Sequence, residues 1–334
     1  MTELRIAVIG AGRIGRMHAE HLAQRIDGAR LAAIADVAEA AAAELAARFG
    51  VPHTTDYHAL LEDHSIDAVA ICSSTDSHAR MITEAAQAGK QIFCEKPIAL
   101  DLPTIDAALA SVAQAGVALQ IGFQRRFDPS FRAAREAIAG GAIGTPHLLR
   151  ITSRDPGPPP LDYIRRSGGL FLDMMIHDFD MARFLLGDEV VAVSATGTCL
   201  VDPAIGTLGD IDTAIVTLTF AGGAIGVIDN SRRAVYGYDQ RAEVLGDAGA
   251  VAVDNRAQHT ATVRDAQAAH GALPPHFFIE RYTDAYVAEL QAFVDALRRG
   301  EAPPVGGADG RAPVVIALAA QRSLHERRPV AIGA

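Results

Sequence analysis

Two stretches of the chain carry polar side chains whose types could handle a proton. Lys96 lies in the stretch IFCEKPIAL, and Asp173 and His177 lie in FLDMMIHDFDMARF. The chain carries only two lysines, Lys90 and Lys96, against 28 arginines. Arginine therefore supplies nearly all the surface charge, and a lysine at position 96 needs its own reason. A compact ammonium can shift its pKa and hydrogen-bond a reacting hydroxyl, which a guanidinium does poorly. The plainer reading is a surface lysine paired with Glu95. FLDMMIHDFDMARF reads as an amphipathic helix; Asp173 and His177 are four apart and Asp180 three further on, so all three share a face. Histidine titrates where a hydroxyl proton can be taken at neutral pH, and a neighbouring carboxylate would orient it. The pair could equally be a structural Asp–His contact. It does not read as a metal centre, because no cysteine or second histidine stands at ligand spacing.

A second constellation points to a dinucleotide. GAGRIG, residues 10–15, fits G-x-G-x-x-G and sits between a strand-like segment and a helical one. Gly10 permits the tight turn, Gly12 lets a pyrophosphate approach the backbone, and Gly15 lets helix and strand pack closely. Arg13 and Ile14 open the helix whose free N–H groups would face that anion. The next strand ends in Asp36, suited to the ribose hydroxyls and repulsive to a 2′-phosphate. Val37 follows, with no arginine to hold such a phosphate, so NAD is favoured over NADP. Ser73, Ser74 and Thr75 end a further strand, where small hydroxyl residues let a ribose and nicotinamide lie close. His78 reads as a cofactor-side or packing residue, and Glu95 and Lys96 close the set at the end of the next strand.

These residues need a scaffold that aligns strand ends. LRIAVIG, ARLAAIAD, IDAVAICSS, QIFCEK and VALQIGF are apolar strand candidates that alternate with helical stretches. That alternation predicts a doubly wound parallel sheet over residues 1–122. From 123 to 334 the pattern changes. A helix is expected over 129–139, a strand ending near Asp155, and a Pro/Gly loop through DPGPPPLDYIRRSGG. One helix is expected over 170–186, then short Val/Thr/Ile strands with tight turns from 189 to 265. Two final helices, 280–299 and 310–327, follow, and the last could pack back on the first domain. The second domain is thus α+β, with a large open, mostly antiparallel sheet. One face of that sheet has few helices to cover it and invites self-association.

Composition narrows the function classes. A net charge of −10 argues against nucleic acid and against an anionic membrane surface. No apolar run approaches a membrane span. Three widely spaced cysteines, Cys72, Cys94 and Cys199, suggest a reducing compartment without a disulfide framework, and a cytoplasmic location is expected.

Taken in order, GAGRIG, EKP and GGLFLDMMIHDFD resemble the glucose–fructose oxidoreductase / inositol dehydrogenase / rhizopine-catabolism family, over essentially the whole chain. GFQRRFDPSF, SRDPGPPPLDYIRRSGG and RRAVYGYDQRAEVLG are similar to its inositol 2-dehydrogenase branch. The resemblance implies a Rossmann domain, a C-terminal α/β domain and a homotetramer assembled on the open sheets. It implies NAD-dependent oxidation of myo-inositol to the 2-keto inosose. It makes Lys96, Asp173 and His177 the catalytic set, with His177 as base, and adds Arg125, Asp155 and Tyr236 as polyol contacts. The same chemistry on scyllo- or chiro-inositol or a pyranose, and a non-catalytic NAD sensor, are the alternatives.

Overall fold

The computed structural model describes residues 3–333 and divides into two compact units. The first takes the chain up to Gln124 together with Asp284–Val314, and the second takes Arg125–Thr283 with the chain from Val315. The long helix Phe278–Arg299 therefore gives most of its length to the first unit.

Six parallel strands build the first unit: β1 (Leu4–Ile9), β2 (Ala29–Ala35), β3 (His53–Thr54), β4 (Ala68–Ile71), β5 (Gln91–Glu95) and β6 (Leu119–Gly122). Their order is β3-β2-β1-β4-β5-β6, the doubly wound dinucleotide-binding arrangement. Every residue of β4 and β6 is buried, as helices on both faces require. Leu290, Phe293 and Val294 of the long helix complete the apolar cluster around Ile6, Val8 and Phe93. Strand order reverses between β1 and β4, so a crevice opens beyond the carboxyl ends of these strands. Gly10, Asp36, Ser73 and Lys96 each stand just past such an end.

The second unit is built on β7 (Pro146–Arg154), β8 (Val190–Thr198), β9 (Thr213–Phe220), β10 (Ile225–Ser231), β11 (Asp239–Gly246), β12 (Ala250–Val253) and β15 (Val330–Ala331). The order is β12-β11-β7-β10-β9-β8-β15. Only the β7–β10 pair is parallel. A separate hairpin, β13 (Thr262–Arg264) with β14 (Ala269–Gly271), is exposed throughout. Alternation sets the two faces of the large sheet. On β9, Ala214, Val216, Leu218 and Phe220 are buried, while Ile215 on the other face is 54% exposed. Helices Pro129–Ala139 and Ile176–Leu186 pack together, the first also against β12 and the second against β7. Asp128 caps the first of them through the Ser130 and Phe131 N–H groups, and Arg281 pairs with it.

Two expected elements differ. The single helix over 170–186 is two, Gly169–Asp173 and Ile176–Leu186, broken at Met174–Met175. The proline-rich segment is not all loop, because Leu161–Ser167 forms a helix capped by Pro160.

Candidate active site

In the first unit the glycine turn has the geometry an anion needs. Gly10 has φ of +109°, and a Cβ there would lie 2.6 Å from the Cys72 carbonyl oxygen. A Cβ at Gly15 would lie 1.8 Å from the Gly10 carbonyl oxygen. By contrast, nothing lies within 4 Å of the Cβ position of Gly12. Two glycines therefore permit close packing, and the third leaves approach to the backbone open. Helix Arg13–Gln24 starts at Gly12 with no side-chain cap and no acid in its first turn. Its N–H groups and dipole favour a phosphate there. Asp36 accepts hydrogen bonds from the Ala11 and Ala38 N–H groups, at 2.6 and 2.8 Å, which fixes its carboxylate beside the glycine turn. Exposed Val37 follows it. This donor set fits a dinucleotide without a 2′-phosphate.

The two lysines separate by role. Lys90 is buried, and its ammonium donates to the carbonyls of Asp63 and Ile66 at 2.7 and 2.9 Å, closing the loop before β4. Lys96 is half-buried at the end of β5 and precedes a cis peptide bond to Pro97. Glu95 turns inward, and its carboxylate meets His18 Nε2 at 2.8 Å. A Cβ at Gly122 would come within 3.0 Å of that carboxylate. His78 is buried against the Pro97 and Ser73 carbonyls. Among the described residues, one group could hold a cation: His18, Glu95 and Glu289, with ligand atoms within 4.8 Å of one another. All three residues belong to the first unit.

In the second unit a polar row crosses the inner face of the sheet. Asn230 of β10 and Gln240 of β11 are both register partners of Ser153 on β7. Ser153 donates to Gln240 at 3.0 Å, and Asn230 donates to Asp178 at 2.8 Å. Arg125, 3% exposed, donates to Asp178 at 2.5 Å and to the Tyr238 hydroxyl at 3.2 Å. Beside this network, Asp173 accepts from the Tyr163 hydroxyl at 2.8 Å and from Arg232 at 3.3 Å. Arg232 is buried and also faces Asp210, which in turn accepts from the Leu170 N–H. Tyr163's pKa is pushed up by burial and then by Asp173, so its phenol stays a donor. His177 stands in the first turn of helix Ile176–Leu186, half-buried.

Asp155 joins the same cluster. Burial pushes its carboxyl up to about 7; Arg232 pulls it down, Asp173 adds to the rise, and Arg125 opposes it. The folded carboxyl therefore holds its proton up to about pH 7, whereas an unfolded aspartate releases it near pH 4. Stability contributed by this group is present below pH 4 and is lost as pH rises to about 7. Asp155→Asn should flatten that slope and gain stability relative to the parent above pH 7, measured as melting temperature against pH.

The structure brings Arg125, Asp155 and Asp173 into one neighbourhood. Tyr236 lies in a different network, donating to Asp239 and accepting from Arg154. The tyrosine on Arg125 is Tyr238. Asp173 ends one helix while His177 and Asp180 stand on the next, so the three do not share one helix face, and Asp180 is buried against Arg126. Tyr163, Asp178, Arg232 and Tyr238 were not selected from sequence. Two of them lie in the RRAVYGYDQR stretch, whose density of polar side chains at a strand start was the available signal.

A parallel nucleotide-binding sheet with an anion-ready glycine turn, joined in one chain to a polar cluster of carboxylates and arginines, defines an oxidoreductase of polar small molecules. Residues 4–123 match the NAD-binding Rossmann fold of an oxidoreductase family, and residues 131–252 match the GFO/IDH/MocA C-terminal domain. The chain belongs to the GFO/IDH/MocA family. It is 51% identical to the myo-inositol 2-dehydrogenase of Thermotoga maritima over 98% of both chains. It is 48% identical to the inositol 2-dehydrogenase of Rhizobium meliloti, over 98% of this chain and 99% of that one. The crystal structure of scyllo-inositol dehydrogenase from Lactobacillus casei with bound NAD(H) and scyllo-inositol is 30% identical. It matches with a TM-score of 0.93 over all of both chains.

Proposed function

We propose that the protein oxidises myo-inositol to 2-keto-myo-inositol with NAD. The observation that supports this most directly is the polar cluster of the second unit, in which Arg125, Asp155, Asp173, Arg232 and Tyr238 offer both donors and acceptors at half-buried or buried positions. A cyclic polyol presents a hydroxyl on every ring carbon and needs such a set to fix its orientation. The near-full-length identity to inositol dehydrogenases supports the same reading.

Bound NAD supplies a hydride acceptor. The carbinol C–H bond breaks with its electron pair leaving toward that acceptor, and the carbonyl forms as the hydroxyl proton departs. His177 takes that proton, and Asp173 orients the substrate or the imidazole. Lys96 donates a hydrogen bond to the reacting oxygen and stabilises the alkoxide character that develops there. The substrate contacts are Arg125 and Asp155, with Tyr236 carried from the family resemblance. Gly10, Gly12, Arg13, Ile14, Asp36 and Val37 serve the adenosine and pyrophosphate half. Ser73, Ser74, Thr75 and Glu95 serve the nicotinamide half.

Absorbance at the NADH band tests this, with NAD or NADP and a panel of inositol isomers and hexoses. Turnover on myo-inositol with NAD is expected. Turnover only on a hexose would move the substrate, and NAD binding without turnover on any polyol would favour a sensor.

The outer face of the large sheet supports a homotetramer. Ile215 and Ile225 are 54% and 56% exposed on adjacent strands, a placement that costs solvation unless another copy covers it. Light scattering should give the mass of four chains, and the mass of one would contradict this. Among the described residues, the three cysteines are free and no helix is long and apolar enough to cross a membrane. The free thiols support a cytoplasmic location.

A further inference from the structure

His78 sits on the first turns of helix Thr75–Gln87, 2% exposed, with each ring nitrogen against a backbone carbonyl. Nδ1 lies 2.8 Å from the Pro97 oxygen and Nε2 lies 3.1 Å from the Ser73 oxygen. Those two carbonyls belong to the turns that leave adjacent strands β5 and β4. On the other side of Lys96, Glu95 is fixed by buried His18. Lys96 thus stands between two residues that histidines hold from inside the unit. We infer that His78 is a positioning residue, whose bond to the Pro97 carbonyl holds Lys96 in register with the loop carrying Ser73. The inference rests on the proposed oxidation, because Lys96 matters only if it meets a reacting hydroxyl.

The chemistry of the contacts sharpens the assignment. Carbonyl oxygens accept and cannot donate, so each contact needs an N–H on the ring. The neutral imidazole serves one carbonyl, and the imidazolium serves both. Burial lowers the ring's pKa, both carbonyls raise it, Glu95 raises it further and Lys96 lowers it. The contact with Pro97 is the shorter and the fully buried one, so it is the bond the neutral ring keeps. A cofactor contact would instead leave a ring nitrogen facing the crevice.

Two amide variants separate the bonds. Asparagine at 78 places its amide nitrogen where Nδ1 was and can still donate to Pro97. Glutamine places it where Nε2 was and can donate only to Ser73. A displacement of about 1 Å at a catalytic group costs on the order of 100-fold in rate. His78→Gln should therefore have kcat at least about tenfold below His78→Asn, while KM for NAD is equal in the two variants. Equal kcat values, or losses confined to KM for NAD or to melting temperature, would overturn the inference. Should the parent protein turn over no polyol, the proposed function fails first. Crystal structures of the two variants then decide the positioning role alone. It requires the Pro97 carbonyl and the Lys96 side chain to move in His78→Gln and to stay in His78→Asn.

Discussion

Replacing Lys96 with alanine is expected to lower kcat for inositol oxidation by about 10²–10⁴-fold, the range that a positioned proton-handling group contributes. Affinity for NAD should change far less than kcat, because the glycine turn, the bare helix N-terminus and Asp36 all stand on β1, β2 and the helix between them. Lys96→Arg should recover little. A guanidinium is bulkier, planar and never deprotonated, so it cannot take the ammonium's place at one hydroxyl. Lys90 cannot substitute for the missing charge, since its ammonium is committed to the Asp63 and Ile66 carbonyls inside the fold. The measurement is steady-state NADH formation with parent, K96A and K96R at saturating cofactor. Turnover of K96A within about threefold of the parent would remove Lys96 from the chemistry.

The second large effect concerns stability. Arg125 and Asp178 are both buried, at 3% and 0% exposure, and the carboxylate also accepts from Asn230. Asp178→Ala leaves a guanidinium in the interior without its counter-charge. Breaking such a buried pair from one side costs about 3–5 kcal/mol. Urea unfolding of D178A should show the loss as an early transition. The double variant R125M/D178L, which replaces both charges by apolar groups, should regain much of the stability. It should not regain activity, because Arg125 is assigned to the polyol. Near-equal urea midpoints for D178A and the parent would mean that the pair is not a structural element of the second unit.

Much of this could be read from sequence, for identifiable reasons. The strands of the first unit are continuous apolar runs that end in Gly10, Asp36, Ser73 and Lys96, and a parallel sheet places such ends together. The helix break at Met174–Met175 was not legible. Leu-Asp-Met-Met-Ile-His has no glycine or proline to signal it, and the i, i+4 pattern ran straight through. Besides Tyr163, what holds Asp173 and its helix is distant: Arg232 is 59 residues away in the chain, and Asp210 reaches the Leu170 N–H across 40. Local periodicity carries no information about either. Nor does the sequence show that Tyr238 meets Arg125 while Tyr236 meets Arg154 and Asp239. Two residues apart before a strand, they read as equivalent until the backbone is known to enter β11 only at Asp239, past both. The helix Leu161–Ser167 was hidden by the prolines before it, although Pro160 serves as its cap.

Transfer of deuterium tests the central claim most directly. Myo-inositol carrying deuterium on the C2 carbinol carbon would be incubated with the protein and NAD, and the reduced cofactor examined by NMR. Hydride transfer from that carbon requires one deuterium at C4 of the nicotinamide in the NADH formed, with a slower rate wherever the C–H cleavage limits turnover. Reduced cofactor bearing only protium would show that the hydride comes from another carbon, and would contradict oxidation at C2.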